Sequence, residues 1–102
     1  MNIAVVEDSR REAEELIRFL EQFGKKHGCD LRISYYMNGE DFLASLGKND
    51  YTAVFLDIFL GKMSGMEAAG RLWEYNPQCQ IIFLTSSREH IRRAFQVHCF
   101  DY

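Results

Sequence analysis

A chain of 102 residues with 47% hydrophobic and 26% charged residues has room for one globular domain and is not disordered. Its formal net charge of -3 excludes the concentrated basic surface that nucleic-acid binding usually requires. No apolar run approaches the roughly 18 residues of a membrane helix, and the opening apolar segment is too short for a signal peptide, so we expect a cytoplasmic protein without a membrane partner.

The first half of the chain predicts two strands and two helices in alternation. Ile3 to Val6 is a continuous apolar run with β-branched residues, as in a strand that is buried on both faces. A helix is expected from Ser9 to about Lys26, where apolar residues recur at three- and four-residue steps, and either Asp8 or Ser9 can cap it. Leu31 to Tyr36 predicts a second strand, and Glu40 to Leu46 a short helix.

The second half continues the same alternation. Ala53 to Leu56 is a third apolar strand that ends on an acidic residue, and Met66 to Tyr75 predicts a helix that an Asn-Pro pair stops. Gln80 to Thr85 holds a fourth strand, Glu89 to about Val97 a fourth helix, and Phe100 to Tyr102 the start of a fifth strand. Helices that alternate with strands whose residues are apolar on both faces predict a parallel sheet with helices on both sides.

Polar residues follow three of the predicted strands. The first strand ends at Glu7 and Asp8, the third at Asp57, and the fourth at Thr85 and Ser86. In such sheets ligands bind at the carboxyl ends of the strands, and neighbouring first and third strands would bring the three carboxylates together. Close carboxylates repel one another, and Mg²⁺ suits such an all-oxygen site.

A carboxylate beside that cation is a suitable nucleophile toward phosphorus, with an aspartyl phosphate as the product. The plainer alternative is that Asp8 and the Thr85-Ser86-Ser87 segment only cap helices. Acidic residues at two strand ends and hydroxyls at a third, all on one edge of the sheet, favour the metal site.

The sequence resembles the receiver domain of two-component response regulators over essentially its whole length. Val5-Val6-Glu7-Asp8-Ser9 is similar to the opening acidic pair of that family, and Val54-Phe55-Leu56-Asp57-Ile58 to its phosphoacceptor strand. Met63-Ser64-Gly65-Met66-Glu67 looks like the turn into the third helix. Phe83-Leu84-Thr85-Ser86-Ser87 resembles the switch strand, and Phe100-Asp101-Tyr102 the start of the last strand.

The resemblance implies an α/β fold of the flavodoxin-like (CheY-like) kind, a doubly wound parallel sheet with strand order 2-1-3-4-5. Residues 1–102 would form a receiver domain that is incomplete at its C-terminus, with the fifth strand truncated, the fifth helix missing and no output domain. Exposed apolar sheet and an open last strand then favour a homodimer or a strand-exchanged oligomer.

For the site, the resemblance implies that Asp57 accepts a phosphoryl group from a histidine kinase, in a signalling domain that is not a dedicated enzyme. Glu7, Asp8, Asp57 and the backbone carbonyl of Phe59 would bind Mg²⁺. Thr85 would contact the phosphoryl group through its hydroxyl and act as a switch together with Tyr102.

The segments Asp57-Ile58-Phe59-Leu60-Gly61 and Thr85-Ser86-Ser87-Arg88-Glu89 are similar to LytTR-type regulators, which bind DNA through a separate output domain. Two departures from the family stand out. Gly61 occupies a position where many members have proline, and the lysine that contacts the phosphoryl group would fall just past Tyr102.

Three alternatives remain open. An unphosphorylated pseudo-receiver would act only as an interaction module. A haloacid-dehalogenase-like phosphatase needs a second Asp where Phe59 stands. A flavin- or nucleotide-binding module needs a Gly/Ser/Thr-rich phosphate loop, and the segment after the first strand is acidic instead.

Overall fold

The structure is a computed structural model and describes residues 1–84. Strands and helices alternate throughout this range, as the sequence predicts. The predicted fourth helix, the start of the fifth strand, Thr85 and Tyr102 lie outside the described residues. The elements are β1 Asn2–Val6, α1 Arg10–His27, β2 Arg32–Tyr36, α2 Gly39–Ala44, β3 Ala53–Asp57, α3 Gly65–Tyr75 and β4 Gln80–Leu84.

Helix α2 is shorter than predicted. It ends at Ala44, although the apolar pattern favours a helix to Leu46. The amide of Ser45 donates to Phe42 O at 3.0 Å, and the amide of Leu46 donates to Leu43 O at 3.2 Å. These bonds reach back three residues instead of four, so the chain tightens beyond α2 while Leu46 still enters the core.

The four strands form one parallel sheet in the order β2-β1-β3-β4, which agrees with the predicted order over the described residues. The carboxyl ends of the strands are level: Val6 pairs with both Tyr36 and Leu56, and Asp57 pairs with Leu84. Residues that follow these strands therefore emerge side by side at one edge of the sheet.

Helices cover both faces of the sheet, as predicted. Helix α1 packs on one face with Ala13, Leu20 and Phe23, and helices α2 and α3 pack on the other face, where Phe42 and Leu72 are buried. The side chains of Ile3 to Val6 in β1 and of Ala53 to Leu56 in β3 alternate between the two faces and are fully buried. Each large apolar side chain buried in this way contributes about 1.5–3 kcal/mol. None of the helices within residues 1–84 has the length and apolarity to cross a membrane.

The start of α1 decides between the two predicted caps. Ser9 is the N-cap, and its hydroxyl accepts a hydrogen bond from the amide of Glu12 at 3.3 Å. Asp8 precedes the cap and is exposed. The side chain of Asp8 is therefore available at the sheet edge instead of being committed to the helix.

Candidate functional site

The carboxylates of Glu7, Asp8 and Asp57 lie together at the carboxyl edge of the sheet. One oxygen from each side chain lies within 4.8 Å of the others. Val6 and Leu56 are paired in adjacent strands, so the next residues, Glu7 and Asp57, face each other across the gap between β1 and β3. The chain order reverses at this gap, which is where ligands bind in sheets of this kind.

Glu7 is the buried member of the group, with 4% of its surface exposed. Its pKa is raised from an ordinary 4.5 to about 8: burial is the largest cause, and the neighbouring carboxylates of Asp8 and Asp57 contribute to the rise. The amide of Ser9 donates to Glu7 Oε2 at 2.9 Å and opposes this shift. A proton or a cation therefore reduces the repulsion among the carboxylates at this edge of the sheet.

Asp57 is oriented by the loop that follows it. The amide of Phe59 donates to Asp57 Oδ1 at 3.1 Å. This bond holds one carboxylate oxygen and does not involve the other. The side chain of Phe59 is 80% exposed and stands away from the core. The role of the Phe59 carbonyl as a metal ligand stays a prediction.

Gly65 brings the start of α3 against the backbone of Asp57. Its amide donates to Ile58 O at 2.7 Å. A Cβ at this position would collide with Asp57 O and would lie 2.8 Å from Ile58 Cα. Only glycine permits this approach, which fixes the peptide that carries the Asp57 side chain.

Gly61, in the same loop, has a φ of 74°. The ring of proline fixes φ near −65°. Proline, which many family members have at this position, therefore does not fit the loop as it is folded here.

The chemistry of the group fits Mg²⁺. All its donors are carboxylate oxygens, they converge within the reach of one ion, and a buried carboxylate with a raised pKa gains from a cation. Sequence reasoning missed Tyr35, whose hydroxyl donates to Glu7 O at 2.8 Å. It also missed that the amides of Ser9 and Phe59 orient the carboxylates of Glu7 and Asp57. The position of Tyr35 near the carboxyl end of β2, beside β1, was the available signal.

Of the predicted site residues, Glu7, Asp8 and Asp57 are brought together, and Phe59 follows Asp57 by two residues. Thr85 and Tyr102 are outside the described range. Leu84, the last described residue, pairs with Asp57, and Thr85 is the next residue in the sequence.

Comparison with known proteins adds independent information. The profile of the response regulator receiver domain family matches residues 3–102. The transcriptional regulatory protein YpdB of Escherichia coli K12 is 29% identical over 102 residues, which are 100% of this chain and 40% of YpdB. The chain thus spans less than half the length of this curated relative.

Two solved structures are similar in fold and sequence. The BeF3-activated receiver domain of DrrB from Thermotoga maritima is 28% identical with a TM-score of 0.68, covering 93% of this chain and 75% of that chain. The complex of histidine kinase ThkA with response regulator TrrA contains a chain that is 32% identical with a TM-score of 0.71, covering 83% of this chain and 68% of that chain.

Proposed function

The chain belongs to the response regulator receiver domain family, and we propose that Asp57 is its phosphoacceptor, with Glu7 and Asp8 as the acidic pair that holds Mg²⁺. A receiver domain of a two-component response regulator is a signalling domain rather than a dedicated enzyme. The observation that carries the assignment is the convergence of these three carboxylates, within 4.8 Å, at the topological switch point of the sheet.

The proposed reaction is transfer of a phosphoryl group from a phosphohistidine of a histidine kinase. The amide of Phe59 holds Asp57 Oδ1, and the other oxygen attacks phosphorus. The Asp57 O–P bond forms as the P–N bond breaks, and the imidazole nitrogen keeps that electron pair and takes a proton from solvent. Bound Mg²⁺ would neutralise charge on the phosphoryl oxygens, and the carbonyl of Phe59 is proposed as a further ligand.

Glu7 matters to this chemistry because it must give up its proton to bind a metal. Its pKa of about 8 in the metal-free protein means that a cation competes with a proton for the same buried oxygens. Its carboxylate is held toward Ser9 by a 2.9 Å hydrogen bond from the Ser9 amide. The Glu7 carboxylate is thus pre-arranged, and occupation by Mg²⁺ would relieve the repulsion among the acids.

We propose Thr85 and Tyr102 as the switch residues that respond to phosphate on Asp57. The register supports this role for Thr85, because it follows Leu84, the strand partner of Asp57. A hydroxyl in that place can bond a phosphoryl oxygen in one arrangement of its segment better than in another. Only such a difference in free energy shifts the population of the active arrangement.

For the whole protein we propose a LytTR-type transcription regulator in the cytoplasm, in which a separate output domain binds DNA. The motifs around Asp57 and Thr85 support the LytTR assignment, and the similarity to a transcriptional regulatory protein supports the DNA-binding role. We also propose a homodimer or strand-exchanged oligomer, since the apolar residues of β4 are only half-buried at the edge of the described sheet. A monomer by light scattering at high concentration would contradict it.

The pseudo-receiver is the second candidate, and the haloacid-dehalogenase-like phosphatase is the weaker one because Phe59 replaces the required Asp. One experiment separates the phosphorylated receiver from the pseudo-receiver. The chain, and a longer chain that carries the family's phosphoryl-contacting lysine, are incubated with Mg²⁺ and a small phosphodonor and then weighed intact. We expect one phosphoryl group on the wild type and none on Asp57→Asn. Absence of phosphate on the longer chain favours the pseudo-receiver, and phosphate that survives Asp57→Asn refutes the proposed acceptor.

A further inference from the structure

We infer that Tyr35 is a positioning residue for the metal site: its hydroxyl fixes the Glu7-Asp8 peptide and thereby the direction in which both carboxylates point. The inference rests on the proposed function, because it concerns the affinity of the same site for Mg²⁺. The bond itself is short, 2.8 Å from the Tyr35 hydroxyl to Glu7 O. A carbonyl can only accept, so the tyrosine hydroxyl is the donor.

The backbone of Glu7 lies where the ladder between β1 and β2 runs out. The amide of Glu7 donates to Tyr36 O at 3.0 Å, which is the last backbone bond between β1 and β2. Strand β2 ends at Tyr36, so no further strand residue is in register to donate to the carbonyl of Glu7. The side chain of Tyr35 takes that place from one position earlier in β2.

This bond acts on two acids at once. A peptide unit is planar, so fixing Glu7 O fixes the Cα of Asp8 as well. The amide of Ser9 holds the Glu7 carboxylate at 2.9 Å, and the Tyr35 bond supplies the second point that sets the orientation of this segment. A metal site gains affinity when its ligands are held by such outer contacts before the ion arrives.

The chain offers a matched control in the adjacent residue. Tyr36 follows Tyr35 in β2 and packs on the opposite face of the sheet, with α2 and α3, whereas Tyr35 packs on the α1 face. The hydroxyl of Tyr36 lies 2.6 Å from the hydroxyl of Tyr51. Tyr35→Phe and Tyr36→Phe therefore each remove one partly buried hydroxyl from the same strand. Only Tyr35→Phe removes a contact to the acidic pair.

The test is a Mg²⁺ titration of the wild-type chain and both variants, followed by the amide resonances of Asp8 and Asp57. We expect Tyr35→Phe to weaken Mg²⁺ binding about 3- to 10-fold, below the 10- to 100-fold seen for direct outer contacts of a ligand, because Tyr35 acts through the backbone. Tyr36→Phe should bind within about 2-fold of the wild type, even where urea shows it to be as destabilised as Tyr35→Phe. Without metal, only Tyr35→Phe should shift the Glu7 carbonyl and Asp8 amide resonances.

The outcomes separate the inference from the function on which it rests. If the wild type binds Mg²⁺ and Tyr35→Phe binds it equally well, the positioning role is overturned and the proposed function stands. Equal weakening in both variants also overturns it, because a general loss of stability then explains the effect. A wild type that takes up no Mg²⁺ refutes the proposed metal site and the inference together.

Discussion

Two buried polar groups of this protein are equally hidden from water and yet differently surrounded. Glu7, in the acidic site with Asp8 and Asp57, and Tyr51, in a hydroxyl cluster with Tyr36 and Ser45, are each 4% exposed. Burial raises the pKa of both, that of Glu7 to about 8 and that of Tyr51 to about 12. Burial therefore acts on both groups in the same direction. The kind of group and its neighbours determine whether a charge arises near neutral pH.

Each hydroxyl of the cluster has a hydrogen-bond partner within the cluster. The hydroxyl of Tyr51 lies 2.6 Å from that of Tyr36 and 2.9 Å from Ser45 Oγ, and Ser45 Oγ donates to Phe42 O at 2.6 Å. Tyr51 stays neutral far above physiological pH, so its burial costs no charge. This cluster fastens the end of α2 to the sheet.

The groups of the acidic site, in contrast, repel one another. Its members share the same sign of charge, and the raised pKa of Glu7 lies within the physiological range. A group of this kind lowers the stability of the metal-free fold, as functional sites often do. The buried hydroxyl cluster thus stabilises the fold, whereas the buried acidic site is suited to a ligand. Substitutions in either region can test this difference.

The largest effect is expected from Glu7→Gln in the metal-free protein. The folded-state pKa of Glu7 is above its ordinary value, so its stabilising contribution is complete below pH 4.5 and is lost as the pH rises through about 8. Glutamine keeps the size and an acceptor for the Ser9 amide but does not ionise. We expect the variant to be more stable near pH 8 by several kcal/mol, with an upper limit of about 5 kcal/mol, because the pKa rises from 4.5 to about 8 and each pKa unit corresponds to about 1.4 kcal/mol.

Urea unfolding in the presence of a chelator measures this effect between pH 4.5 and 8. The wild type should lose stability across the window and the variant should not. Added Mg²⁺ should stabilise the wild type and leave Glu7→Gln nearly unchanged. If the stability of the two proteins changes with pH in the same way, the pKa of Glu7 is not raised in the folded protein.

Gly65→Ala tests the backbone approach behind Asp57. The new methyl group has to displace the Asp57 peptide, and overpacking of this kind costs about 1–3 kcal/mol. Gly70, in the same helix, has nothing within 4 Å of a Cβ, so Gly70→Ala should instead stabilise α3 by about 0.5–1 kcal/mol. Thermal unfolding of both variants gives the comparison, and a neutral Gly65→Ala would contradict the proposed role of this contact.

The sequence was sufficient for the order of elements because apolar periodicity and strand ends are local signals. It was also sufficient for the convergence of Glu7, Asp8 and Asp57, since parallel strands place their carboxyl ends at one edge. By residue type either Asp8 or Ser9 can cap α1, and the geometry selects Ser9, which has Glu12 three residues later as in a capping box. Both residues are good caps, and their propensities do not separate them.

The rest depends on contacts between residues distant in the chain. Gly24 is buried inside α1, where a Cβ would lie 2.8 Å from Cys29 O. The helix ends at His27, and Gly28 is its C-cap with a φ of 69°. Tyr35 and Gly65 gain their roles from backbone atoms of Glu7 and Asp57, and no periodicity reports such approaches.

The smallest effect is expected on the other side of the comparison. Tyr51→Phe removes the central hydroxyl of the cluster and leaves Tyr36 without this partner, at a cost of about 1–2 kcal/mol. Ser45 keeps its bond to Phe42 O, so the end of α2 should hold. The loss should be independent of pH up to about 10, the ordinary pKa of tyrosine, and Mg²⁺ affinity should match the wild type. Urea unfolding at several pH values with a parallel Mg²⁺ titration measures both. A weakened Mg²⁺ site in this variant would show that the two regions are coupled through β2 and that the division between them is wrong.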